Sequence, residues 1–170
     1  IEDISDSVTL IAVQGPNSIK TLQKLTELNL EELKYYHFAE SNLAGKSVVI
    51  SRTGYTGEIG FELFVSIEDS EYIWNKVMEA GDEFEIEPIG LGARDSLRLE
   101  KKYCLYGNDI SEKTNPFEAG LGWITKLEKG DFIGRDALIK IKEKKLKRKL
   151  IGYVVEGRAF PRKDYEIVYN

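Results

Sequence analysis

The sequence holds one cysteine, one histidine, one methionine and four prolines in 170 residues. A single cysteine, Cys104, excludes an intrachain disulfide and suits a reducing compartment. The lone histidine, His37, stands among bulky aromatic residues with no Cys or His partner at metal-ligand spacing. It reads as a strand residue, and neither a zinc site nor a Ser-His-Asp or Cys-His arrangement has support. No apolar run approaches membrane-spanning length, and none looks like the core of a signal peptide. A net charge of -5 and a pI near 5.1 lack the concentrated positive field that nucleic-acid binding needs. The glycines at 54, 57 and 60 do not follow the dinucleotide fingerprint, and no P-loop is present. The expectation is a cytoplasmic protein with no metal, no nucleic-acid partner and no membrane segment.

What is present is a globular composition, 42% hydrophobic and 31% charged, long enough for one domain or a large piece of a larger one. The most informative stretch runs from Val48 to Val65. Two β-branched and aromatic runs flank a glycine-containing loop, which predicts an antiparallel pair. Side chains alternate along a strand, so Phe61, Leu63 and Val65 share one face while Glu62 and Phe64 share the other. A carboxylate in so apolar a run is costly unless donors or a cation meet it. Two readings are open for Glu62. In one it is solvated on the open face of a sheet; in the other it forms the base of a pocket and accepts two parallel N–H bonds from a planar ligand or an arginine.

A second stretch, residues 90–100, reads as a helix with Arg94 and Arg98 four residues apart. Like charges at that spacing repel slightly, so the pair suits an anion lying across it, unless Asp95 ties up Arg98 locally. Around these stretches the pattern predicts a strand at 8–13, a helix at 17–25, and strands at 36–39, 46–53 and 60–65, with Ala44-Gly45 turning a hairpin. A helix capped by Ser66 and ended by Gly81 follows, with Ile73, Trp74, Val77 and Met78 as its buried stripe. An aromatic loop at 103–109 holds Tyr106, which, like Tyr55, is either a packing residue or a stacking wall for a flat heterocycle. Beyond it come a turn at Asn115-Pro116, a strand at 123–127 and a helix at 134–143 with Leu138 and Ile141 inward. The basic run 144–149 reads as a solvated helix end and linker rather than a nucleic-acid patch. Leu150 to Val155 and Asp164 to Tyr169 read as strands. This order predicts an α+β fold, antiparallel sheet layers with helices packed on them.

Several long motifs in order carry a resemblance. Gly-Tyr-Thr-Gly-Glu-Ile-Gly-Phe-Glu at 54–62, Gly-Leu-Gly-Ala-Arg-Asp-Ser-Leu-Arg-Leu-Glu at 90–100 and Leu-Tyr-Gly-Asn-Asp-Ile at 105–110 come first. Asn-Pro-Phe-Glu-Ala-Gly-Leu-Gly-Trp at 115–123 and Phe-Ile-Gly-Arg at 132–135 follow. Together they resemble the aminomethyltransferase family of the glycine cleavage system, the T-proteins. The resemblance implies a folate-binding T-protein-like region over residues 1–145, a basic linker at 146–149, and the start of a C-terminal β-barrel domain at 150–170.

The same resemblance implies transfer of a one-carbon unit from the aminomethyl-lipoyl H-protein to tetrahydrofolate, with release of ammonia. The family's pterin-binding glutamate maps onto Glu62 and its substrate-binding arginine onto Arg94. Tyr55 and Tyr106 would wall the ring, and Arg94, Arg98 or Arg52 would face the glutamate tail. A mitochondrial location is implied if the source is a eukaryote. The family's catalytic aspartate belongs to an N-terminal segment this chain lacks, so no catalytic residue is expected here and the piece alone is expected to be inactive. A start at Ile1 and an end at Asn170 suit an internal fragment. The alternatives are a folate-binding relative of another kind, such as an iron–sulfur maintenance protein, demethylase or oxidase domain, or a non-catalytic partner-binding module. For the first, Lys102-Tyr103-Cys104 has a cysteine in an analogous place but lacks the glycine of a Lys-Gly-Cys motif.

Overall fold

The computed structural model describes residues 2–158, 161, 165, 166 and 168, and the chain divides into two compact units, 1–103 and 104–170. The first unit carries a four-stranded antiparallel sheet: β1 (Val8–Gln14), β2 (Phe38–Leu43), β3 (Lys46–Ser51) and β4 (Gly60–Ser66), in spatial order β1-β4-β3-β2. Helices α1 (Ser18–Gln23) and α2 (Ser70–Gly81) pack on each other and on β4, and α3 (Leu91–Glu100) follows. This is the α+β arrangement of antiparallel sheet and helices that the pattern predicts.

The period-2 reading of β4 holds. Phe61, Leu63 and Val65 are buried with Ile11, Val13, Val48 and Ile50 from neighbouring strands and Leu22, Ile73 and Val77 from the helices. The other face is more open: Phe64, Leu10 and Phe38 are exposed there, and Glu62 is half-buried. Glu62 sits at the centre of the sheet, opposite Ala12 on β1 and Ser51 on β3. Both neighbours are short, so neither shields the carboxylate by bulk.

The β2–β3 hairpin turns through Ala44 (φ 51°) and Gly45 (φ 83°), a two-residue link with both φ positive that matches the twist of the strands. β2 begins at Phe38, later than the predicted 36–39 strand, and continues to Leu43. The reason is a bulge. Tyr36 N donates to the Arg52 carbonyl at 3.0 Å and Arg52 N donates to the His37 carbonyl at 2.9 Å, so two residues oppose one, with Tyr36 left-handed at φ 64°. His37 is therefore an exposed bulge residue, its Nδ1 3.2 Å from the Tyr35 carbonyl oxygen, and not a strand residue.

Two further expectations are corrected in the first unit. Ser66 does not cap α2; its hydroxyl donates to Asp69 Oδ2 at 3.2 Å within a 3-10 turn, and α2 starts at Ser70. Trp74 does not join the buried stripe but is 43% exposed. Ile73, Val77 and Ala80, spaced by four and three, fill the space against the sheet and leave Met78 half-buried at the edge.

Asp69 also meets Lys46 at 2.6 Å. That hydrogen bond holds the Asp69 carboxyl below its ordinary range and the Lys46 ammonium above its own. The carboxyl's contribution is present above the unfolded carboxyl pKa and is lost as pH falls through the folded one; the ammonium's is lost as pH rises through its raised value. The gap in urea midpoint between the parent and Asp69→Asn is therefore expected to be open at neutral pH and to close on acidification.

The second unit has one helix among the described residues, α4 (Arg135–Glu143), with Leu138 and Ile141 half-buried as predicted. Asn115 opens a turn, its Oδ1 accepting from Phe117 N and Glu118 N at 3.0 Å each. The expected strand at 123–127 is absent. Ile124 N donates to the Leu121 carbonyl and Thr125 N to the Gly122 carbonyl, both at 3.2 Å, which curls this segment into turns. The basic run 144–149 is exposed apart from its contacts through Arg148, which lies 3.2 Å from Glu118 and also donates to the Lys113 carbonyl. Leu150 to Val155 forms no strand; Leu150 N donates to the Glu118 carbonyl at 2.7 Å. The strand expected at 164–169 lies in part outside the described residues.

Candidate functional site around Glu62

The sheet delivers Glu62 to its open face, and the loop after β3 supplies the first donor. Thr53 Oγ1 donates to Glu62 Oε2 in a short hydrogen bond and lies 3.0 Å from Ser51 Oγ. A hydroxyl has one proton, so Thr53 gives its own to the carboxylate and accepts from Ser51, a relay that keeps the carboxylate oriented. Among the described residues, Thr53 is the carboxylate's one hydrogen-bond donor, and no ion pair joins Glu62 to Arg94. The carboxylate is thus turned into a half-buried setting with acceptor capacity that the described residues do not use.

The same unit gathers two aromatic rings and Arg94. Arg94, exposed on α3, places its guanidinium carbon 4.6 Å from the centroid of Tyr55, and Tyr55 stacks on Tyr103 at 5.9 Å and 26°. Tyr35 lies just before the bulge and is 46% exposed. Burial pushes its phenol above the ordinary tyrosine range, and the charges of Tyr36, Tyr103 and Glu62 push the same way. Tyr35 is therefore a neutral hydroxyl at physiological pH. The bulge at Tyr36 turns the chain directly after Tyr35, and the Tyr35 and Tyr36 rings meet edge-on at 4.3 Å.

Glu62, Tyr55 and Arg94 are therefore gathered on one unit. Arg98 is placed differently. It is 3% exposed and holds Asp95 Oδ1 through Nε at 2.7 Å and Nη2 at 2.5 Å, while Nη1 donates to the Tyr103 carbonyl at 3.1 Å. The local pairing with Asp95 is realised, and Arg98 fixes the backbone of a ring in the stack. Arg52 donates to the carbonyls of Glu31 at 3.0 Å and Leu33 at 2.7 Å, which ties down the segment leading to Tyr35. Tyr106 belongs to the second unit, where it is 69% exposed and bridges to Ile110. Sequence reasoning missed Tyr103 and Thr53. The signal for Tyr103 was its place directly after an Arg-bearing helix.

A carboxylate with unused lone pairs, held by a short polar relay on a unit that also carries stacked flat rings, can accept a donor pair from the edge of a planar heterocycle. Family comparison agrees with that architecture. The family model described as the GCVT N-terminal domain matches residues 1–129. The chain belongs to this family. Among curated proteins it is similar to the aminomethyltransferases of Halothermothrix orenii, 54% identical over 166 residues, and Chloroherpeton thalassium, 52% identical over 167. Each alignment covers 98% of this chain and 46% of the relative, so the chain spans under half the length of these curated proteins. Among solved structures it is similar to the glycine cleavage system aminomethyltransferase T from Bartonella henselae, with a TM-score of 0.70 and 37% identity over 80% of this chain and 37% of that one. The GCVT motifs quoted above up to residue 123 fall within the matched segment. No group of His, Cys, Asp and Glu able to hold a metal occurs among the described residues, and no helix there is long and apolar enough to cross a membrane.

Proposed function

We propose that this segment is the pterin-binding part of a tetrahydrofolate-dependent aminomethyltransferase. The whole protein takes the aminomethyl group carried on the lipoyl arm of the H-protein. Its carbon passes to tetrahydrofolate, giving methylenetetrahydrofolate, and its nitrogen leaves as ammonia. The observation that carries this reading is the oriented, half-buried Glu62 carboxylate, on the same unit as the Tyr55–Tyr103 stack. A reduced pterin presents a cyclic amide N–H next to an amino group, a donor pair that one carboxylate accepts in bidentate fashion.

In this reading Tyr55 walls the ring, with Tyr103, which stacks on it, as a further wall. Arg94 faces the glutamate tail of the folate. Arg98 supports the site by holding Tyr103 and Asp95 in place. Tyr106 is a further stacking candidate, carried by its motif alone. The general electrostatic or proton-transfer group of the reaction comes from another part of the full-length protein, and residues 150–170 open a C-terminal barrel domain there. A cytoplasmic location, or a mitochondrial one in a eukaryote, fits glycine catabolism and one-carbon metabolism.

The test is a pair of measurements. Tetrahydrofolate titrated into the full-length protein is expected to bind saturably, and aminomethylated H-protein is expected to yield methylenetetrahydrofolate and ammonia. The 170-residue segment alone is expected to give none of that product. Absence of saturable binding by the full-length protein would leave a partner-binding module as the better account, and full turnover by the segment would remove the assignment of chemistry to other parts of the protein.

A further inference from the structure

We propose that Gln14 is a positioning residue for the Glu62 site, a side-chain amide that replaces a missing rung of the sheet and fixes Thr53 against the carboxylate. The inference rests on the pterin reading of Glu62 and extends it to a residue that touches neither ligand nor carboxylate.

The backbone pairing shows why a brace is needed. The β3–β4 ladder ends at Ser51↔Glu62, whereas β1 pairs with β4 as far as Gln14↔Gly60. Past Ser51 the chain departs from the β3–β4 ladder, and the Thr53 carbonyl needs a donor from elsewhere. Gln14 supplies it, and reaches the Phe61 carbonyl as well. Its Nε2 donates to the Thr53 carbonyl at 3.2 Å and to the Phe61 carbonyl at 3.1 Å, while its Oε1 accepts from Thr56 Oγ1 at 3.5 Å. One planar group thereby joins both limbs of the β3–β4 loop to its tip. The two carbonyls it holds belong to the residue whose hydroxyl meets Glu62 and to the residue directly before Glu62.

Two glycines make room for it. A Cβ on Gly54 would lie 2.0 Å from Gln14 Oε1, and a Cβ on Gly60 would lie 2.1 Å from the same atom. Neither contact is compatible with the amide where it stands, so these glycines serve clearance. Gln14, Gly54 and Gly60 form one device, a slot and the amide that fills it. Tyr55, next to Gly54, is carried on the same loop and stacks on Tyr103.

A residue acting through Thr53 leaves a signature that a general brace does not. Tetrahydrofolate affinity of the full-length protein is measured for the parent, Gln14→Leu, Thr53→Val, the double variant and Glu62→Gln. Gln14→Leu and Thr53→Val are each expected to weaken binding about tenfold, and the double variant is expected to be no weaker than about the worse single one, because both break the same link. KM for the aminomethyl donor is expected to stay at the parent value. Should Gln14→Leu fail to fold, Gly54→Ala displaces the intact amide and is expected to give the same loss. Losses that multiply in the double variant, or parent affinity in Gln14→Leu or Gly54→Ala while Glu62→Gln has lost it, would overturn the positioning role alone. Parent affinity in Glu62→Gln would overturn the pterin reading and this inference with it.

Discussion

Glu62→Gln is expected to weaken tetrahydrofolate binding about 100-fold in the full-length protein while leaving its fold intact. The size follows from what the substitution does chemically. A carboxylate offers two acceptor oxygens to a donor pair, and hydrogen bonds to a charged acceptor are about twice as strong as neutral ones. Glutamine keeps one acceptor and turns an NH2 group towards a second donor, leaving a ligand N–H unpaired in a half-buried place, where the penalty is about 1–3 kcal/mol on top of the lost bond. Stability should change little, because Glu62 is on the open face and its one hydrogen-bond donor among the described residues is Thr53. Calorimetric titration of tetrahydrofolate measures the affinity, and a thermal melt checks the fold.

Phe61→Ala acts one residue away with the opposite balance. Phe61 has 0% exposure and packs among Val13 opposite it on β1 and the other core residues, so truncation removes a large apolar side chain and leaves a cavity in the sheet's buried face. A loss of about 3–5 kcal/mol is expected, a large share of the roughly 5–15 kcal/mol that holds a domain together. Phe64→Ala, on the exposed face of the same strand, is expected to cost about 1 kcal/mol or less. Urea denaturation of the two variants side by side reads this difference. Equal losses would mean that the two faces of β4 are not inside and outside as described.

Much of this was legible from local pattern. The alternation at Phe61 to Val65 suits a strand with Phe61, Leu63 and Val65 on one buried face, and Ala44-Gly45 between two strand-like runs leaves little but a tight hairpin. Arg94 could be placed on a helix because residues 91–99 keep helical spacing. The misses share a cause. Whether Trp74 or Ala80 completes the buried face of α2 depends on how much space the sheet leaves, which is a tertiary fact. Trp123 to Leu127 has strand-like composition, yet i to i+3 hydrogen bonds from Ile124 and Thr125 claim it for turns. The bulge at Tyr36 is set by Arg52, sixteen residues on, and so was hidden from local pattern. Gln14 looked like the last residue of a strand before a Gly-Pro break; its amide partners are 39 and 47 residues away.

The central claim is that the Glu62 carboxylate grips a donor pair on the heterocycle's edge. It is tested most directly by comparing tetrahydrofolate with its 2-desamino analogue, which keeps the ring but lacks one donor of the pair. The parent protein is expected to prefer tetrahydrofolate by about tenfold or more, and Glu62→Gln is expected to bind the two within about twofold of each other. An undiminished preference in Glu62→Gln would show that another group reads the amino edge, and would contradict the account.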